Sequence, residues 1–81
     1  MAHGPTLKQV NAAIAKARIP LTLDRVSDGY HLFIYDRPEA NIYETESEMV
    51  PYTSNYSLQA WVRYAEYAWN VISKRIEGRV A

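Results

Sequence analysis

The strongest fold signal in the chain is the stretch SLQAWVRYAEYAWNVISKRIEG at residues 57–78. Its apolar side chains recur three or four residues apart over about five turns, as expected for one face of an α-helix. The residues of this face are Leu58, Trp61, Val62, Ala65, Ala68, Trp69, Ile72 and Ile76. Ser57 is suited to cap the N-terminus of the helix, and Gly78 is predicted to end it. We therefore expect a long amphipathic helix in this part of the chain.

A second, shorter helix is predicted near the start of the sequence, at residues 6–17. Thr6 and Gln9 have the spacing of a capping box, in which each side chain bonds to the backbone N–H of the other residue. The apolar positions that follow at helical spacing are Leu7, Val10, Ala13, Ile14 and Ala17. Arg18 stands where a glycine commonly ends a helix, and Pro20 prevents the helix from continuing.

The region between the two helices predicts β-structure. Strands are predicted at residues 21–26, 30–35 and 42–52. Asp28 and Gly29 form a strong hairpin signal between the first two. The second strand is nearly all apolar, which favours a central position, and Pro51 confines the third to an edge or to a strand end.

The order α-β-β-(β)-α predicts a two-layer α+β domain, a short antiparallel meander packed by two helices. The expected core consists of Leu21, Leu23, Leu32, Ile34, Trp61 and Trp69. We expect a flexible tail at residues 1–5, a single domain at residues 6–78 and a flexible end at residues 79–81.

The composition argues against several classes of function. Among 81 residues there is no cysteine, the formal net charge is zero, and no run of about 18 apolar residues is present. The glycines at positions 4, 29 and 78 are too scattered for a phosphate-binding loop. His31 could act as a general base beside an acid, but a histidine on the solvent face of a strand is the commoner case. We expect a cytoplasmic protein that is not an enzyme, with no catalytic residue, cofactor or bound metal.

Acidic residues cluster in and before the third strand. In an extended strand, Glu44, Glu46 and Glu48 would project from one face at intervals of about 7 Å. They could bind a hard cation, meet a basic groove on a partner, or imitate the charges of a nucleic-acid backbone. They could also be a solvated edge that prevents aggregation.

Two further surfaces could contact a partner. Tyr64, Tyr67 and Val71 form a second apolar stripe on the last helix, which is either the rim of the core or a contact surface for a partner or a second copy. Basic residues that could contact phosphate, or simply be solvated at helix ends, are Lys8, Lys16, Arg18, Lys74, Arg75 and Arg79.

The order of features resembles that of a group of small uncharacterised proteins from tailed bacteriophages and prophages. The resemblance covers about residues 7–65 and rests on two short motifs. These are Gly29-Tyr30 before the aromatic strand Leu32-Phe33-Ile34-Tyr35, and Leu58-x-x-Trp61-Val62 at the start of the last helix. Arg18 departs from the glycine expected there, and the last helix is longer. The resemblance implies an accessory protein of an infected or lysogenic bacterial cell, with no active residues to carry over.

The resulting hypothesis is a non-enzymatic interaction protein of phage or prophage type. It would bind a bacterial host protein or protein complex, as an anti-CRISPR-like inhibitor of a host defence complex does. The expected partner-binding residues are Glu44, Glu46, Glu48, Tyr64 and Tyr67. The alternatives are a small nucleic-acid-binding or transcription-accessory protein and a structural homodimer. No membrane partner is expected.

Overall fold

A computed structural model describes residues 4–27 and 29–80, without the side chain of Val80. The elements are α1 (Leu7–Lys16), β1 (Thr22–Ser27), β2 (Tyr30–Arg37), β3 (Ile42–Glu48) and α2 (Leu58–Val80), with single 3-10 turns at Pro38–Ala40 and Thr53–Asn55. The strands form one antiparallel sheet in the order β1-β2-β3. Both helices pack on the sheet, so the predicted two-layer α+β fold is confirmed, with β2 in the centre.

Several ends of the elements differ from the predictions, and two of them have a clear physical reason. The third strand stops at Glu48 rather than Tyr52, because the chain leaves the sheet before Pro51. Helix α2 continues through Gly78 to Val80, since glycine weakens a helix without forbidding it. Most of the predicted tail, and Ala81 of the predicted flexible end, lie outside the described residues, whereas Gly4 lies in close contact with the backbone of Ser54.

Helix α1 is bounded by two well-defined caps. The Thr6 hydroxyl accepts from the backbone N–H of Gln9, and the Gln9 side chain accepts from that of Thr6, which confirms the capping box. At the other end Arg18 adopts the left-handed conformation with φ 62°. The backbone N–H of Arg18 donates to the carbonyl of Ala15, and that of Ile19 donates to the carbonyl of Ile14. This pair of bonds is the Schellman arrangement, which glycine usually closes.

The core lies between the sheet and the helices. It consists of Val10, Ile14, Ile19, Leu21, Leu23, Phe33, Trp61, Ala65, Ala68 and Ile72. Leu21, Leu23 and Trp61 are buried as predicted, and Trp69 is half-buried against the ring of Tyr35. Leu32 and Ile34 were predicted to be inward and this is wrong, because they lie on the sheet face away from the helices.

The burial of the unexpected face of β2 follows from a β-bulge in the first hairpin. Ser27 pairs with Tyr30, but Arg25 rather than Val26 pairs with His31, so Val26 is one extra residue in β1. Without it Leu23 would pair with Ile34; with it Leu23 pairs with Phe33. A one-residue change of register exchanges the two faces of a strand. The bulge therefore turns His31 and Phe33 towards the helices.

Candidate functional site

The three glutamates of β3 do share one face, but that face is directed towards the helices. Glu44 pairs with Tyr35, Glu46 with Phe33 and Glu48 with His31 across the sheet. Since His31 and Phe33 are buried, the glutamates follow them to the helix side. Glu44 is only 7% exposed, so it is not the solvent-facing group that the sequence suggested.

Two arginines from the last turns of α2 neutralise this row. The Arg75 guanidinium bonds to Glu46 at 2.6 Å and lies 3.6 Å from Glu44, and it donates to the backbone carbonyl of Thr45 at 3.0 Å. Arg79 forms an ion pair with Glu44. The acidic row and the basic C-terminal turns were expected to be separate surfaces. They form one ion-pair network, so only part of the acidic charge is available to a partner.

Glu48 has a different partner. Its carboxylate accepts a hydrogen bond from the Tyr56 hydroxyl at 2.8 Å. This bond, burial and the negative charge of Glu48 raise the pKa of Tyr56 to about 12, because ionising the phenol would place two anions side by side. The Tyr56 ring also contacts the rings of Trp61 and Tyr64, with centroids 4.9 and 4.7 Å away.

The predicted glutamate and tyrosine surfaces are therefore neighbours. Tyr56 touches both Glu48 and Tyr64, and Tyr67 follows Tyr64 at i+3 on the same side of α2. Tyr64 is 38% exposed and Tyr67 is 67% exposed. We call this surface the tyrosine flank and define it as Glu46, Glu48, Tyr56, Tyr64 and Tyr67.

His31 was predicted to face solvent, and this is wrong, because the bulge turns it inward. It is 1% exposed, its ring packs edge-on against Trp61 at 5.6 Å, and its Nδ1 bonds to the carbonyl of Val50 at 2.9 Å. Glu48 lies opposite His31 in the sheet, yet its carboxylate bonds to Tyr56 instead. The described residues thus contain no histidine–carboxylate pair of the kind a general base uses.

The remaining basic candidates are spread over both helices. Lys8, Lys16, Arg18 and Lys74 are exposed, whereas Arg75 and Arg79 are held by glutamates. Within residues 4–27 and 29–80, no group of three or more histidine, aspartate or glutamate side chains is arranged to hold a metal ion.

Comparison with known proteins adds no relative. No family model, curated protein or solved structure matches the chain. None of the helices in the described part of the chain is both long and apolar enough to cross a membrane.

Proposed function

We propose that this protein is a non-enzymatic interaction protein of phage or prophage type that binds a bacterial host protein in the cytoplasm. Inhibition of a host defence complex is the form of this proposal that we favour. The tyrosine flank is its contact surface. The observation that carries the proposal is the ring contact between Tyr56 and Tyr64, with Tyr67 three residues further along the same side of α2 and two-thirds exposed.

Tyrosine is suited to this role because its ring supplies apolar contact area while its hydroxyl remains able to bond to a partner or to water. Such residues often contribute most of the binding free energy of an interface. Here Tyr56 and Tyr64 support one another through ring contact, so little side-chain freedom is lost when a partner binds.

The electrostatic part of the interaction is smaller than three free glutamates would give. Arg75 and Arg79 together offset Glu44 and Glu46, so that Glu48 is the member of the three-glutamate row with no cationic partner in the described part of the chain. A partner with a modest basic rim around an apolar centre fits this flank better than a strongly basic groove. The charge would then affect the rate and orientation of association more than the affinity.

The alternative functions have less support. A nucleic-acid-binding role was expected to use Lys8, Lys16, Arg18, Lys74 and Arg75, but Arg75 is held by Glu46, and the others are divided between two helices.

A homodimer through Tyr64 and Val71 would use part of the same flank. It therefore predicts a mass of two chains in light scattering that Tyr67→Glu abolishes.

The test is capture of a host protein from bacterial lysate by the immobilised chain. Tyr67→Glu places a charge at the most exposed ring of the flank without touching the core. We expect the amount of captured partner to fall about tenfold or more, which is the effect typical of replacing a central aromatic residue at an interface.

Tyr43→Glu is the matched control. Tyr43 is 58% exposed but belongs to the sheet face turned away from the helices, so its replacement should leave capture unchanged. Equal capture by wild type and Tyr67→Glu would remove the tyrosine flank from the proposal. Loss with Tyr43→Glu alone would move the contact surface to the other face of the sheet.

A further inference from the structure

The last helix meets the edge strand β3 along a line on which the chain places one of its own arginines. Arg75 bonds to Glu46 at 2.6 Å and donates to the carbonyl of Thr45. Tyr64 lies about three helical turns before Arg75, so it is on the same side of α2. At one end of this line a glutamate of β3 therefore meets an arginine, and at the other end Glu48 meets tyrosines.

Glu48 is held in a fixed position but keeps acceptor capacity for another donor. It follows Glu46 on the same face of β3, at a spacing of about 7 Å. Its Oε2 atom accepts from the Tyr56 hydroxyl at 2.8 Å, whereas Oε1 has no hydrogen-bond partner in the described part of the chain and is not fully buried. Each carboxylate oxygen can accept two hydrogen bonds. The bond to Tyr56 therefore orients the carboxylate without using it up.

Aromatic rings occupy the helix side of this carboxylate. The ring centres of Tyr56 and Tyr64 are 4.7 Å apart. The hydrogen bond to Glu48 is the main reason that the pKa of Tyr56 is raised, and Tyr64 contributes as well, so the Tyr64 hydroxyl is near that of Tyr56. Tyr64 and Tyr67 are exposed, and the face of a tyrosine ring attracts a cation. A fixed carboxylate beside exposed rings suits a cation that can bond to the one and stack on the other.

We propose that Glu48 and Tyr64 receive the guanidinium of an arginine side chain from the partner of the tyrosine flank. A guanidinium donates two parallel N–H groups to a carboxylate and stacks on an aromatic ring through its plane, a combination that a lysine ammonium lacks. The partner's arginine repeats at Glu48 the pairing that Arg75 makes with Glu46. This inference rests on the proposed function, because it assigns the chemistry of one contact of that flank.

The test is an NMR titration of the purified chain with single blocked residues: acetyl-arginine methylamide, acetyl-lysine methylamide and acetyl-citrulline methylamide. Citrulline has nearly the shape of arginine but no charge. We expect arginine to give saturable shifts of the Tyr64 ring signals and of the Glu48 carboxyl signal. Lysine should bind roughly threefold more weakly, and citrulline should not bind. The titration needs no host protein, so its failure and a failure of capture from lysate are separate results.

Three variants divide the contact into its charge and its ring. Glu48→Gln keeps an oxygen for the Tyr56 hydroxyl but removes the charge, and we expect it to weaken arginine binding roughly tenfold or more. Tyr64→Leu removes the ring and should weaken binding about threefold, whereas Tyr64→Phe keeps the ring and should bind nearly as well as wild type. Glu66→Gln is the matched control, because it removes an exposed carboxylate of α2 outside the flank and should bind like wild type.

Two patterns of binding would overturn the inference. Equal shifts with arginine and citrulline would show that the cation plays no part. Arginine binding that Glu48→Gln and Glu66→Gln weaken to the same extent would show only a general attraction to negative charge.

Discussion

Arg18 occupies a conformation that its own side chain disfavours. An L-residue in the left-handed region places its β-carbon close to the backbone, which costs roughly 1–2 kcal/mol. The two bonds that close the end of α1 require this conformation, and they direct the chain into Ile19 and Leu21 of the core. The position is exposed, so nothing around Arg18 requires the arginine side chain.

We predict that Arg18→Gly stabilises the protein. Glycine adopts positive φ without steric cost, and after allowance for its greater freedom in the unfolded chain the gain should be about 0.5–1 kcal/mol. In a domain of this size that gain corresponds to a rise in Tm of roughly 4 °C, measurable by calorimetry. Arg18→Ala is the control, because it removes the same charge but keeps a β-carbon. Equal Tm values for the two variants would contradict this explanation.

Single residues were well predicted where the signal was local and poorly predicted where it depended on the rest of the fold. The pair Thr6 and Gln9 predicted its own hydrogen bonds because the two residues are three apart. By contrast, the Asn11 amide bonds to both the N–H and the carbonyl of Leu23, and no sequence pattern indicates a partner twelve residues away.

At the scale of elements, the sequence predicts the strands but not which face of β2 is buried. Both faces of this strand are apolar, so alternation cannot choose between them. The choice depends on one extra residue, Val26, in the neighbouring strand. The candidate site depends on the same residue, because the bulge places His31, and with it Glu48 on the neighbouring strand, on the helix side of the sheet. Strand alternation alone made the positions of Glu44, Glu46 and Glu48 on one face predictable, whereas nothing local indicated their partners, which are Arg75, Arg79 and Tyr56.

The bond between Tyr56 and Glu48 joins the segment before α2 to β3, and it should make the stability of the fold depend on pH in the alkaline range. The pKa of Tyr56 is raised from 10.0 to about 12 in the folded state. The unfolded chain therefore loses this proton at lower pH than the folded chain. The stabilising contribution of Tyr56 is fully present below pH 10 and is lost as the pH rises to about 12.

The comparison is between wild type and Tyr56→Phe in urea unfolding. We expect wild type to be more stable by a constant amount below pH 10, and we expect this difference to shrink between pH 10 and pH 12. Tyr67→Phe, which removes the hydroxyl of an exposed tyrosine, is the control for loss of a phenol group. A wild-type advantage over Tyr56→Phe that is the same at both ends of this pH range would show that the hydrogen bond to Glu48 does not control the titration.

At the scale of the whole molecule, a side chain from a helix contacts the backbone of each edge strand. Asn11 of α1 bonds to both backbone groups of Leu23 in β1, and Arg75 of α2 bonds to the carbonyl of Thr45 in β3. Edge strands with free backbone groups can pair with other chains. These two residues therefore oppose strand addition at both ends of the sheet, which makes edge pairing the less suitable route to a homodimer.

We predict that the double variant Asn11→Ala with Arg75→Ala aggregates faster than wild type, as measured by thioflavin fluorescence. Loss of the Asn11 bonds should also lower the free energy of unfolding by about 1–2 kcal/mol, and this loss of stability would by itself accelerate aggregation. Ile14→Val, which loses about 1 kcal/mol in the core while both edges stay covered, is the control for this effect. Lys74→Ala controls for loss of charge beside Arg75. Aggregation of the double variant at the rate of Ile14→Val would argue against a protective role for the two contacts.

Arg75 and Thr45 are thirty residues apart in the sequence. Arg75, the later of the two, is the residue that covers the edge of β3. On a ribosome, β3 is complete long before the arginine is made. At 5–20 residues per second the delay is roughly 2–6 seconds. For as long as Arg75 and Arg79 are absent, a chain that has formed β3 has an uncovered carbonyl at Thr45 and an acidic row without its cations.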